Sequence, residues 1–133
     1  MPTWLLKTEP SDYSIADLQA DGTTIWDGVS NALALKNLRC IKAGDGLLIY
    51  HTGTEKAIVG SAVAKSDAAA RHDDLKDVVV EIKYKSTFSS VLSLAEMKAD
   101  KAFEGWDLLR LPRLSVMSVP DKILAVIQNR CGR

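Results

Sequence analysis

From Asp77 to Phe88 the chain alternates with a period of two. Val78, Val80, Ile82 and Tyr84 fall on one side; Val79, Glu81, Lys83 and Lys85 fall on the other. Successive side chains of a strand point to opposite faces, so this pattern predicts a strand with one face on a core. A strand needs partners elsewhere in the chain to satisfy its backbone hydrogen bonds.

Thr3–Lys7 is predicted as a short buried strand, Thr23–Trp26 as extended, Leu47–His51 as a strand buried on both faces, Ala57–Ala64 as another and Arg113–Val119 as a short one. Helices are expected where caps precede helix formers. Ser14, with Asp17 three residues on, opens one over Ile15–Ala20. Asn31 opens a second through Leu38, and Ser93 a third to about Asp100. Pro120 starts the last, with Ile123, Leu124 and Ile127 as its apolar stripe and Gly132 as its stop. Lys65–Lys76 is polar and irregular and reads as a loop. Unequal strands broken by short helices, without βαβ alternation, predict an α+β fold: a small twisted β-barrel or curved sheet flanked by short helices.

The 133 residues fit one domain, 1–133, large enough for a core without staples. Seventeen basic residues balance seventeen acidic ones, which argues against binding nucleic acid through a broad cationic surface. Cys40 and Cys131 are far apart and belong to no CxxC or Cys/His cluster, so no metal is expected, and reduced thiols suit a cytoplasmic protein. No basic stretch followed by an apolar run marks a signal peptide, and no run nears the ~20 residues of a membrane span. Neither a cofactor nor a membrane partner is expected.

Four polar clusters sit at strand ends or helix starts: Lys7-Thr8-Glu9-Pro10 with Ser14, Trp26-Asp27-Gly28 with Asn31, Tyr50-His51-Thr52, and Arg113-Leu114-Ser115. In a small barrel the strand ends line the mouth, so these clusters are expected to converge there. Read singly, each has an ordinary explanation. Lys7 and Glu9 make a surface pair, His51 a satisfied buried histidine, Trp26 a core residue, and Arg113 a solvated edge.

Read together, WLLKTEPSDYSIADL, TTIWDGVSN, LIYHTGTEKAIVGSA and RLSV resemble the EVE domain family, in that order and spacing. The resemblance implies a PUA-like fold, related to readers of methylated adenine and to domains of RNA-modifying enzymes. It implies a nucleic-acid-binding module, for DNA or RNA, that reads a modified base.

Reading one base means taking it out of its stack, against an aromatic face and a few fixed donors and acceptors. On that basis Trp26 is the expected stacking platform. Ser14, Asn31 and Thr8 are edge contacts, with Ser115 beside them. Lys7 and Arg113 face a phosphate or a base oxygen. Gly28 and Val29 offer a close backbone approach, and Tyr50 and His51 form the opposite wall. Glu9 is expected to orient Lys7.

Relatives usually carry Arg, Gln and Arg where this chain has Ser30, Leu33 and Leu35. Loss of those polar groups leaves a nucleotide-like small molecule as an alternative ligand. It also leaves Leu33 and Leu35 as either a buried stripe or an interface. Two rivals to a nucleic-acid-binding module are a hydrolytic enzyme built on His51, Thr52, Asp27 and Glu9 and a protein-interaction module whose pocket is vestigial. Nothing in the sequence matches a nucleophile motif, a metal cluster or a phosphate loop, so the binding module is preferred.

Overall fold

The computed structural model describes residues 2–131. Seven strands form one hydrogen-bonded system: β1 (Thr3–Thr8), β2 (Thr23–Trp26), β3 (Gly46–His51), β4 (Ala57–Ala64), β5 (Ala69–Arg71), β6 (Asp74–Ser93) and β7 (Val116–Ser118). The order is β2-β6-β4-β3-β1-β7, with β5 on β6. Only β1 and β3 run parallel; the other pairings are antiparallel. The fold is the expected α+β one, a twisted, barrel-like sheet with short helices. The ladder itself stays open, with β2 and β7 as its ends.

The alternating segment is the middle of β6. Val78, Val80 and Ile82 are buried, as the pattern requires. The strand runs further at both ends than expected, for 20 residues, and irregular pairing with β4 at Ile58/Gly60 and Ser61/Ala62 bends the ladder.

Five helices flank the sheet: α1 (Ile15–Asp21), α2 (Ala32–Arg39), α3 (Leu94–Lys98), α4 (Asp107–Arg110) and α5 (Asp121–Cys131). Ser14 caps α1 in a reciprocal box with Asp17. Asn31 accepts from the Ala34 N–H at the start of α2, and Ser93 with Glu96 makes a second box at α3. On α2, Leu35 and Leu38 are buried, while Leu33 stays exposed. The stripe reading therefore holds for Leu35 and fails for Leu33.

Three expectations need correction. Lys65–Lys76 is not a loop: it contains β5 and the start of β6, joined through a turn at His72 and Asp73, both at positive φ. Arg71 on β5 holds Asp77 on β6 at 2.9 Å, so this hairpin rests on an ion pair and has little apolar pattern to read. The strand expected over Arg113–Val119 is only Val116–Ser118, because Arg113 lies in a turn and β1 pairs only with Val116, Met117 and Ser118. Between α3 and β7 the chain forms a 3-10 turn at Lys101–Phe103 and the helix α4, neither of which was expected. The last helix opens at Asp121, and the Pro120 carbonyl accepts from the Leu124 N–H. Its expected stop, Gly132, lies outside the described residues.

A candidate binding cavity between the sheet ends

β1 leaves the core at Lys7 and Thr8, beside the strand ends of β3: Lys7 is in register with Tyr50 and Thr8 with His51. On its other side, the Lys7 N–H donates to the Ser115 carbonyl at 2.9 Å. The segment leading into β7 is thereby drawn to the end of β1. Across from it stands β2, the other end of the open ladder. A cavity of about 540 Å³ lies between them. That volume falls within the usual range for sites that enclose a small ligand.

Thr24, Ile25 and Trp26 form one wall of the cavity, and Lys7, Thr8, Arg113 and Ser115 the other. Tyr13, Asp27, Gly28, Val29, Ser30 and Asn31 border it together with Glu9. Of the expected site residues, the fold gathers Lys7, Thr8, Trp26, Gly28, Val29, Asn31, Arg113 and Ser115 here. Ser14, Tyr50 and His51 do not line it. The Ser14 hydroxyl accepts from the Asp17 N–H. Tyr50 is 3% exposed, with the Lys7 ammonium 5.5 Å from its ring centroid.

His51 Nε2 accepts the buried Ile15 N–H at 3.0 Å. That fixes the tautomer: Nδ1 carries the proton and faces Glu55 Oε1 at 2.7 Å. With both ring nitrogens engaged away from the cavity, His51 does not assemble with Asp27 and Glu9 into an acid–base set.

The polar groups differ in what they have left to give. Glu9 does not orient Lys7, contrary to expectation. Its carboxylate accepts from the Ser11 N–H and hydroxyl and from Thr52 Oγ1. Lys7 Nζ donates instead to the Pro112 carbonyl at 3.0 Å and makes no ion pair among the described residues. An ammonium has three hydrogens, so two remain for a ligand. Burial lowers the Lys7 pKa from its ordinary value of 10.5.

The Thr8 hydroxyl donates to the Tyr13 carbonyl, which leaves its lone pairs. Asn31 spends its side-chain oxygen on the α2 cap, so its amide NH₂ is what it can offer. Asp27 takes one long contact, 3.4 Å, from Arg71 Nη2 to Oδ2. Oδ1 is left as an acceptor.

The Trp26 indole is 8% exposed and belongs to the core as well as to the cavity wall. Tyr13 meets it edge to face, 6.4 Å between centroids at 82°. The Tyr13 hydroxyl donates to Asp21, and burial first, then that bond, raises its pKa. Gly28 sits at φ 76° with open space where a Cβ would be, so the turn, not crowding, calls for glycine.

Glu9, Tyr13, Thr24, Ile25, Asp27 and Ser30 also line the cavity and are not among the ligand contacts expected from the sequence. All six lie inside the quoted phrases WLLKTEPSDYSIADL and TTIWDGVSN, so motif membership is the signal that could find them.

The sequence profile of the EVE domain matches residues 2–130. Among solved structures, a protein from Leishmania major superposes with a TM-score of 0.90 at 30% identity, covering 97% of this chain and 93% of that one. Human thymocyte nuclear protein 1, in complex with 5-methylcytosine-containing DNA, superposes at 0.90 and 22% identity, covering 100% and 99%. In sequence, human thymocyte nuclear protein 1 is 29% identical across 72% of this chain and 55% of its own length. The chain thus spans about half the length of the curated relatives it matches. No helix among the described residues is long and apolar enough to cross a membrane.

Proposed function

Because this chain belongs to the EVE domain family, we propose that it binds nucleic acid by taking one modified base, 5-methylcytosine or a close analogue, into the cavity between β2 and the end of β1. The observation that supports this most is the composition of that cavity. It joins an aromatic corner, Trp26 and Tyr13, to a few polar groups with unspent hydrogen-bonding capacity. A planar heterocycle needs both.

The cytosine edge presents an exocyclic amine that donates and ring positions that accept. Asp27 Oδ1 is the natural acceptor for the amine. Lys7 and the Asn31 amide are the natural donors to the accepting edge. The methyl group needs an apolar contact, and Val29 and Ile25 border the space. Burial of one methyl-sized group is worth about 0.8 kcal/mol, so methylation by itself favours binding only about fourfold. Most of the affinity must come from ring stacking and the polar edge.

The likeness to human thymocyte nuclear protein 1, solved in complex with 5-methylcytosine-containing DNA, supports this ligand class. The test is calorimetric titration with 5-methyl-2′-deoxycytidine monophosphate, its unmethylated form and the other three mononucleotides. The reading expects the methylated cytidine to bind best. Equal binding of all five, or none, contradicts it.

A second reading has its own support. Two cations, Lys7 and Arg113, and two carboxylates, Glu9 and Asp27, border the cavity. That balance suits a free nucleotide or nucleoside as well as a strand. If the mononucleotide binds as tightly as any oligonucleotide, the small molecule is the ligand.

A further inference from the structure

A second hollow, about 300 Å³, borders the first. Its lining is Leu33 from α2, Leu111, Pro112 and Leu114 from the segment before β7, and two residues shared with the main cavity, Asn31 and Arg113. Leu33 is 44% exposed, one of few large apolar side chains so open to solvent among the described residues. Leu111 packs half-buried on the core. No carboxylate lines this shelf, and Arg113 is its one charge. The shelf is also tied to the main cavity, because Lys7 Nζ holds the Pro112 carbonyl.

We propose that this shelf takes the nucleobase next to the one in the cavity on the same strand, with Arg113 against the phosphate between them. The inference rests on the reading of the cavity given above and adds a second subsite to it. Continuity argues for this occupant. A nucleotide is covalently joined to its neighbours, so when one base occupies the cavity, an adjoining base must lie against the surface that borders it. The chemistry agrees. Leucine and proline side chains are used against the faces of unstacked bases, and Arg113, which makes no ion pair among the described residues, suits a single phosphate.

Three ligands test the shelf by calorimetry: 5-methyl-2′-deoxycytidine 5′-monophosphate and the two dinucleotides that add thymidine on its 5′ or 3′ side. One dinucleotide polarity is expected to bind about tenfold more tightly than the mononucleotide. Leu33→Ser, on an exposed helix face, is expected to remove most of that gain without changing the affinity for the mononucleotide. Leu111→Ala repeats the test from the other side of the shelf.

Failure of the mononucleotide to bind overturns the reading of the cavity and the shelf with it. Mononucleotide binding with no dinucleotide gain, or with a gain that survives Leu33→Ser, overturns the shelf alone. A dimer in sedimentation that Leu33→Ser dissociates would assign the shelf to a second copy of the chain and equally overturn it.

Discussion

Lys7 Nζ donates to the carbonyl of Pro112 at 3.0 Å, across 105 residues of sequence. This single bond links the end of β1, where the core gives way to the cavity, to the segment before β7 that completes the same wall and carries the neighbouring hollow. It also occupies one hydrogen of the ammonium best placed to meet a ligand. The cavity is therefore shaped by a group that belongs to its own binding surface.

Burial lowers the pKa of Lys7 below 10.5, and this gives a pH dependence with a definite sign. Between the lowered folded value and 10.5 the unfolded chain holds a proton that the folded chain has lost. Stability from this site therefore rises with pH across that window. Comparing Tm of the protein and Lys7→Met from about pH 8 to 10.5 isolates the site, since other groups cancel in the difference. The difference is expected to move in favour of lysine as pH rises. A flat or opposite trend would refute the burial of the ammonium.

His51 is expected to act on stability and not on binding. Replacing it with leucine leaves the Ile15 N–H without its acceptor at a buried helix start. An unsatisfied buried donor costs about 1–3 kcal/mol, measurable by urea unfolding. Nucleotide affinity of the folded His51→Leu protein should stay within about twofold, a shift under 0.5 kcal/mol. A tenfold loss of affinity would return the imidazole to the site.

Gly53 sits at φ 77°, where an added Cβ would lie 2.7 Å from Glu9 Oε2. The turn and the Glu9 carboxylate thus cannot both stay in place in Gly53→Ala. Left-handed backbone alone costs about 1–2 kcal/mol for a residue with a side chain. A loss of that size is expected in chemical denaturation, and an unchanged midpoint would contradict the left-handed backbone at this turn.

Salt dependence counts the phosphates held. Only Lys7 and Arg113 among the cavity residues carry positive charge. Lys7 is given to the base edge, so Arg113 is the one cation left for a phosphate, and one such contact on a single strand gives a slope of log K against log salt of about −0.7. Binding of a methylated single-stranded oligonucleotide from low to moderate salt should show that shallow slope, and Arg113→Gln should remove most of it. A slope several times steeper would mean a cationic surface elsewhere on the chain.

Much of the fold was legible because local signals agreed with tertiary need. β2 and β4 have the bounds their apolar runs and flanking turns predict. Ser14, Asn31 and Ser93 cap the helices they were expected to cap. What was not legible depends on long-range partners. β5 holds exposed alanines, and its pairing is secured by Arg71 and Asp77, which no period reveals.

The cavity shows the same division. Motif residues at the ends of β1 and β2 were legible as a set. The Tyr50-His51-Thr52 cluster follows equally polar logic, yet it sits beside β1 and braces it, because the parallel register turns those side chains to Lys7, Ile15 and Glu9. Strand-end polarity therefore marked the rim of the core without telling the ligand side from the supporting side.

The most direct measurement is an amide and indole NMR titration with 5-methyl-2′-deoxycytidine monophosphate. The Trp26 indole N–H and the backbone amides of Thr8, Gly28, Val29 and Ser115 should shift together and saturate at one ligand per chain. Ser61 and Ser86, a hydrogen-bonded pair remote from the cavity lining, should not move. Saturable shifts confined to other surfaces, with the Trp26 indole unmoved, would show that the space between β2 and the end of β1 is not where this protein holds a base.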